Sequence, residues 1–219
     1  MFAAASLTDS FKGLATSFEK QQADVLVKLN FAGTPTLVTQ IEQGAQADVL
    51  ASADAANMDR LKADGLTSGD AQLFAHNQLE IVVAPGNPKR INALADLAKP
   101  GVIYISEAAT VPAGKYSQQA LRKAGVTVRP RSLETDVKSV ISKIELGEAD
   151  AGIVYTTDVR AAGAKVQGVQ IPAAYNVVAA YPIVVVKGAK NSAAAGAFIA
   201  YVLSAAGQST LASFGFQPA

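Results

Sequence analysis

The sequence predicts an α/β protein built on mainly parallel sheets covered by helices on both faces. Two observations carry this. Short apolar runs of strand length alternate along the chain with longer segments in which apolar residues recur at i, i+3, i+4 and i+7. Glycines follow the helical segments and stop them. At 219 residues, half of them hydrophobic, the chain can bury one large core or two smaller ones.

Phe11, Leu14, Ala15 and Phe18 mark the first helix, which starts just after Ser6-Leu7-Thr8-Asp9. Val25, Val27, Leu29 and Phe31 alternate with Leu26, Lys28 and Asn30 and predict a strand. Thr36–Gln43 reads as a short helix stopped by Gly44, and Asp48–Ala51 as a short buried strand. Ala55–Asp64 is a helix with Met58 and Leu61 inward and Gly65 as its stop. Strands follow at Leu79–Ala84, closed by Pro85-Gly86-Asn87-Pro88, and at Val102–Ile105. Ala113–Ala124 is a helix ending at Gly125. Val137, Val140, Ile141 and Ile144 mark another, ending at Gly147. Ala151–Tyr155 and Val178–Val186 are strands. Ala195, Phe198, Ile199 and Val202 form one face of a late helix, and a last short helix ends near Phe214.

One pattern occurs twice. Ile41-Glu42-Gln43-Gly44 leads through Ala47-Asp48 into Val49-Leu50-Ala51, and Ile144-Glu145-Leu146-Gly147 leads through Ala149-Asp150 into Ala151-Gly152-Ile153-Val154-Tyr155. Two similar lobes would produce this echo; so would the shared grammar of βα units.

Composition excludes several chemistries. Cysteine is absent, which removes disulfides, thiolate metal sites and cysteine nucleophiles. The single histidine, His76, leaves no basis for a histidine zinc site or a Ser-His-Asp triad, and no Gly-x-Ser-x-Gly elbow would make Ser6 a nucleophile. No enzyme is expected. Lys plus Arg is 19 against 18 for Asp plus Glu, a net charge of +1, so nothing recommends nucleic acid as a partner. A ligand-sensing domain cut from a regulator would fit the fold, but no helix-turn-helix is evident. No apolar run approaches the roughly 18–20 residues of a membrane span. No basic leader precedes Phe2, which fits a trimmed exported chain as well as a cytoplasmic one.

In open parallel sheets a ligand sits beyond the carboxyl ends of the strands. Those ends carry Ser6, Thr34, Ser52-Ala53 and Tyr155, and helices begin after Ser6, Thr34, Ala53 and Asp136. Helix N-termini present free N–H groups and a positive dipole end, which suit anions. Taken singly, Ser6, Thr34 and Asp136 are equally ordinary N-caps, and Tyr155 a core tyrosine. Lys115, Arg122, Lys123, Arg129 and Arg131 are either a solvated face or a long-range guide for an anion.

Seven segments, in order along the whole chain, resemble one family. They are Phe2-Ala3-Ala4-Ala5-Ser6-Leu7-Thr8, Phe31-Ala32-Gly33-Thr34, Gly44–Asp54, Val111-Pro112-Ala113-Gly114-Lys115-Tyr116, Gly152–Asp158, and the pair Tyr181-Pro182-Ile183 with Phe214-Gly215-Phe216. The family is that of periplasmic molybdate-binding proteins, the solute receptors of molybdate ABC transporters. The resemblance implies a two-lobed type II periplasmic-binding-protein fold, with lobe one at 1–78 plus 181–219 and lobe two at 79–180. It implies molybdate or tungstate held in the cleft between them by hydrogen bonds alone. The donors carried over are Ser6, Thr34, Ala53 N–H, Val137 N–H and Tyr155 hydroxyl, with molybdenum bound as its oxyanion and no metal coordinated directly. It further implies no cofactor, a membrane permease as partner, a monomer, and a periplasmic or otherwise extracytoplasmic location, free or lipid-anchored. A receptor for another tetrahedral oxyanion such as sulfate is the alternative. Thr34 stands where the family usually has serine, and Pro35 where serine is common. The family also has strand residues ahead of Phe2, so a clipped first strand is expected.

Overall fold

The computed structural model describes residues 1–219. The chain forms two compact units, Met1–His76 with Ala180–Ala219, and Asn77–Ala179.

In the first unit, β1 (Phe2–Ala4) leads through a 3-10 turn (Ala5–Leu7) into α1 (Thr8–Gln21). Then come β2 (Asn30–Ala32), α2 (Thr34–Glu42), β3 (Val49–Ala51) and α3 (Ala55–Ala63). β4 (Thr67–Val83) carries the chain into the second unit. There β5 (Ser106–Glu107), α4 (Pro112–Lys123), β6 (Leu133–Glu134), α5 (Val137–Glu145), β7 (Ala151–Tyr155), α6 (Thr156–Ala162) and β8 (Gln167–Gln170) follow. β9 (Val178–Val186) carries it back, and α7 (Ser192–Leu203) and α8 (Ala205–Ser213) complete the first unit.

The α/β class is as the sequence reads, but the ladders are mixed rather than mainly parallel. β1 pairs in parallel with β2 and β3, and β5 with β6. The two long strands that carry the chain between units run against their neighbours: β9 is antiparallel to β3, and β4 to β7 and β8. A strand that crosses over and returns enters each sheet from the opposite end, and neither direction of travel is visible in hydrophobic period.

Three element boundaries also differ. The alternation at Val25–Leu29 is real in burial, yet only Asn30–Ala32 pair, because the ladder to β1 starts where Phe2 meets Asn30. The strand expected at Val102–Ile105 is displaced to Ser106–Glu107; before it only Tyr104 forms a lone bridge, to Ala151. β4 is 17 residues long, its first half polar and largely exposed, so only its apolar end is readable in the sequence. β6 and β8, absent from the sequence expectation, are short and lack an apolar run.

The first unit's core joins Phe2, Leu37, Val38, Ile41, Leu50, Met58 and Leu61. A second group of edge-to-face rings links α1 to α7: Phe11 lies 6.2 Å and Phe18 5.3 Å from Phe198. The two halves of the repeated sequence pattern fall in different units, as α2–β3 and α5–β7. Each ends its helix at a glycine in the left-handed region, Gly44 at φ 90° and Gly147 at φ 72°, where a side chain would be strained. No single helix is long and apolar enough to cross a membrane.

Candidate anion site

In the first unit the register of the parallel strands builds the site. Ala4 pairs with Ala32, so Ser6 and Thr34, each two residues further on, leave adjacent strands at the same level. Adjacent strands lie about 4.8 Å apart. β3 is on the other side of β1, Ala3 opposite Ala51, and brings Ser52 and Ala53 to the same end.

Each residue differs in detail from a simple cap. Ser6 lies inside the 3-10 turn, 8% exposed, with its hydroxyl 3.0 Å from that of Tyr181. Thr34 is the first helical residue of α2, behind Gly33 as N-cap, so Pro35 sits in the first turn where a missing N–H costs nothing. Thr34 is almost wholly buried, and its hydroxyl oxygen accepts the Ala53 N–H at 3.2 Å. The Ala53 N–H, expected to face the ligand, is thus engaged by Thr34. Asp54 caps α3 by accepting the Asn57 N–H, and the Ser52 hydroxyl donates to the Asp54 carbonyl at 2.6 Å, which fixes the turn around Ala53.

In the second unit β5 and β6 are parallel, and the Tyr104–Ala151 bridge shows β7 running the same way. The first turns of α4 and α5 and the end of β7 therefore share one end. Asp136 caps α5 through the Ser139 N–H at 2.9 Å, leaving Val137, buried, as the first helical residue. Tyr155 is 1% exposed, and its N–H donates to Asp158 at 3.2 Å. Asn77 grips the residues just after it, donating to Thr157 at 2.8 Å and accepting from Thr156 at 3.0 Å. α4 begins at Pro112, which has no N–H, followed by buried Ala113 and Gly114. The motif Val111–Tyr116 is visible in the sequence, but only the fold shows that its first turn shares an end with that of α5.

Beneath these two helix starts lies Glu107, fully buried with neither carboxylate oxygen hydrogen-bonded to another group. Burial, and after it the carboxylates of Asp158, Asp136 and Glu134, push its pKa well above 4.5, which disfavours a negative charge at this position. The folded chain then holds a proton that the unfolded chain releases near its ordinary pKa. Stability falls as pH rises from that value through the raised one. Glu107→Gln is expected to flatten this decline, leaving acid stability unchanged and raising the thermal midpoint at alkaline pH. Melting curves across pH check it.

Arg122, Lys123, Arg129 and Arg131 are exposed and Lys115 half-buried, the arrangement of a solvated face. A cavity of about 390 Å³ is lined by Met1, Asp48 and Asn191. It lies at the amino ends of β1 and β3, opposite Ser6 and Thr34.

Residues 1–217 match the family of bacterial extracellular solute-binding proteins. The chain belongs to this family. This solute-binding protein is 41% identical over 216 residues to the molybdate-binding protein ModA of Mycobacterium tuberculosis, covering 99% of the chain and 83% of the relative. Among solved structures it is similar to the periplasmic molybdate-binding protein of Azotobacter vinelandii (TM-score 0.86, 23% identity, 98% and 96% of the two chains). It is similar also to the sulfate-binding protein SubI of M. tuberculosis (TM-score 0.87, 21% identity, 99% and 85%). At those identities the two structures speak for the fold alone. The family is one of solute-binding proteins, not of enzymes.

Proposed function

We propose that this solute-binding protein captures molybdate, and tungstate with it, outside the cytoplasm and hands it to an ABC permease as a monomer without catalysis. What supports the reading is that each unit, taken by itself, brings hydroxyls or helix-start N–H groups to the carboxyl ends of its parallel strands, Ser6 and Thr34 in the first and Val137 and Tyr155 in the second. The relatives' molybdate-binding name supplies the anion.

The donors in this reading are Ser6 and Thr34 in the first unit and the Val137 N–H and Tyr155 hydroxyl in the second. The first turn of α4 adds the Ala113 N–H. Ala53 takes a supporting part: its N–H can only donate, so Thr34 Oγ1 must accept it, and the Thr34 proton is left for the ligand.

A tetrahedral dianion presents only acceptors, so neutral donors satisfy it completely. Charge-assisted bonds from Lys or Arg would be stronger individually but would slow release. The same set disfavours protonated phosphate: its hydroxyl either lies against an N–H that cannot accept it, at a cost of about 1–3 kcal/mol, or is accepted by a Ser6, Thr34 or Tyr155 oxygen in place of that group's own donation to the anion. Sulfate, also fully deprotonated, must be excluded by size.

Competition calorimetry tests this. Tungstate is expected to displace molybdate stoichiometrically, while phosphate near neutral pH does not. Phosphate binding as tightly as molybdate would contradict a site selective for fully deprotonated anions.

A further inference from the structure

We propose that Tyr181 is a positioning residue that turns the Ser6 hydroxyl proton toward the anion; this rests on the reading of Ser6 as a ligand donor. Tyr181 is fully buried in β9, and its hydroxyl lies 3.0 Å from Ser6 Oγ, 175 residues away in sequence. The ring is wedged edge-to-face between Phe74, at 6.1 Å and 80°, and Phe216, at 5.5 Å and 81°. β9 is itself tied to the site's edge, since the Pro182 carbonyl accepts the Ser52 N–H at 2.9 Å. The phenol oxygen is thus fixed behind Ser6.

Each hydroxyl has one proton, and only one of the two can lie in the bond between them. If Ser6 donated to Tyr181, it would turn lone pairs toward an anion. If Tyr181 donates, Ser6 accepts and its own proton is left for the ligand. The phenol is the more acidic hydroxyl and the better donor, and a bound dianion selects the same polarity. The neighbouring hydroxyl follows the same plan with no ambiguity: Thr34 Oγ1 accepts from the Ala53 N–H. Both hydroxyls therefore have a donor behind them. This gives Tyr181-Pro182, a motif otherwise without a task, a defined one.

The experiment is a double-mutant cycle of Tyr181→Phe and Ser6→Ala, read by calorimetric titration with molybdate. Tyr181→Phe keeps the ring contacts and is expected to weaken binding about tenfold. In the Ser6→Ala background the same change is expected to do less than twofold. Replacing Tyr181 by p-aminophenylalanine, whose amino group still donates, is expected to bring affinity back to within about threefold of wild type. A Tyr181→Phe protein that binds like wild type, or a loss equally large without the Ser6 hydroxyl, would overturn the proposal. Should Tyr181→Phe not fold, the p-aminophenylalanine protein decides alone, a tenfold loss there counting against it. Ser6→Ala binding molybdate as wild type does would instead overturn the reading of Ser6 itself, and the proposal with it.

Discussion

Val137→Pro is expected to weaken molybdate binding ten- to a hundredfold while leaving the apo protein folded. Val137 is the first residue of α5, the position where proline suits a helix best. The residue before a proline must be extended, and Asp136 already is, at φ −164° and ψ 167°. Its cap to the Ser139 N–H does not involve the Val137 nitrogen. The substitution therefore removes one N–H and exchanges the buried Val137 side chain for a proline ring of similar size. A hydrogen bond to a charged group contributes about 1.5–3 kcal/mol, which sets the size of the loss. Titration of the variant beside a thermal melt without ligand separates the two effects. Unchanged affinity would show that the anion does not use this N–H.

A large loss of stability is expected on substituting Gly114, in the first turn of α4. A Cβ there would lie 2.2 Å from the Ala108 carbonyl oxygen and 2.5 Å from that of Glu107. Both are backbone atoms, and their strand is held, since the Ala108 N–H donates to the Glu134 carbonyl at 3.0 Å. Nothing flexible can give way, so α4 must lift. Overpacking of this kind costs about 1–3 kcal/mol or more. For a chain of this length Gly114→Ala should lower the thermal midpoint by about 2–10 °C, and it should weaken molybdate binding as the helix start shifts. Gly196 is the control. It lies within α7, and a Cβ added there would meet nothing within 4 Å. Gly196→Ala is expected to stabilise by about 0.5–1 kcal/mol. Equal responses at the two sites would contradict the packing argument.

The helices are legible because each carries its own period and its own stop: α4 and α5 end near Gly125 and Gly147, as the sequence pattern predicts. The positions of Ser6 and Thr34 are legible because both follow strands, and parallel register then aligns them. Three things are not. Strand direction at β4 and β9 depends on where the chain crosses between units, which no local pattern encodes. The polar half of β4 and the two-residue β6 have too little apolar character to show a period. The partners of the site hydroxyls depend on distant segments: Ala53 meets Thr34 across 19 residues, and Tyr181 meets Ser6 across 175. Sequence alone thus names residues of the candidate site but not the distant partners of their hydrogen-bonding groups.

Direct calorimetric titration of the folded, anion-free protein with molybdate, repeated in a large excess of sulfate, tests the central claim. One-to-one binding that persists against sulfate is the result predicted for a neutral, size-selective oxyanion receptor. No heat on adding molybdate, with the protein shown to be folded, or displacement by sulfate at equal concentration, would contradict it.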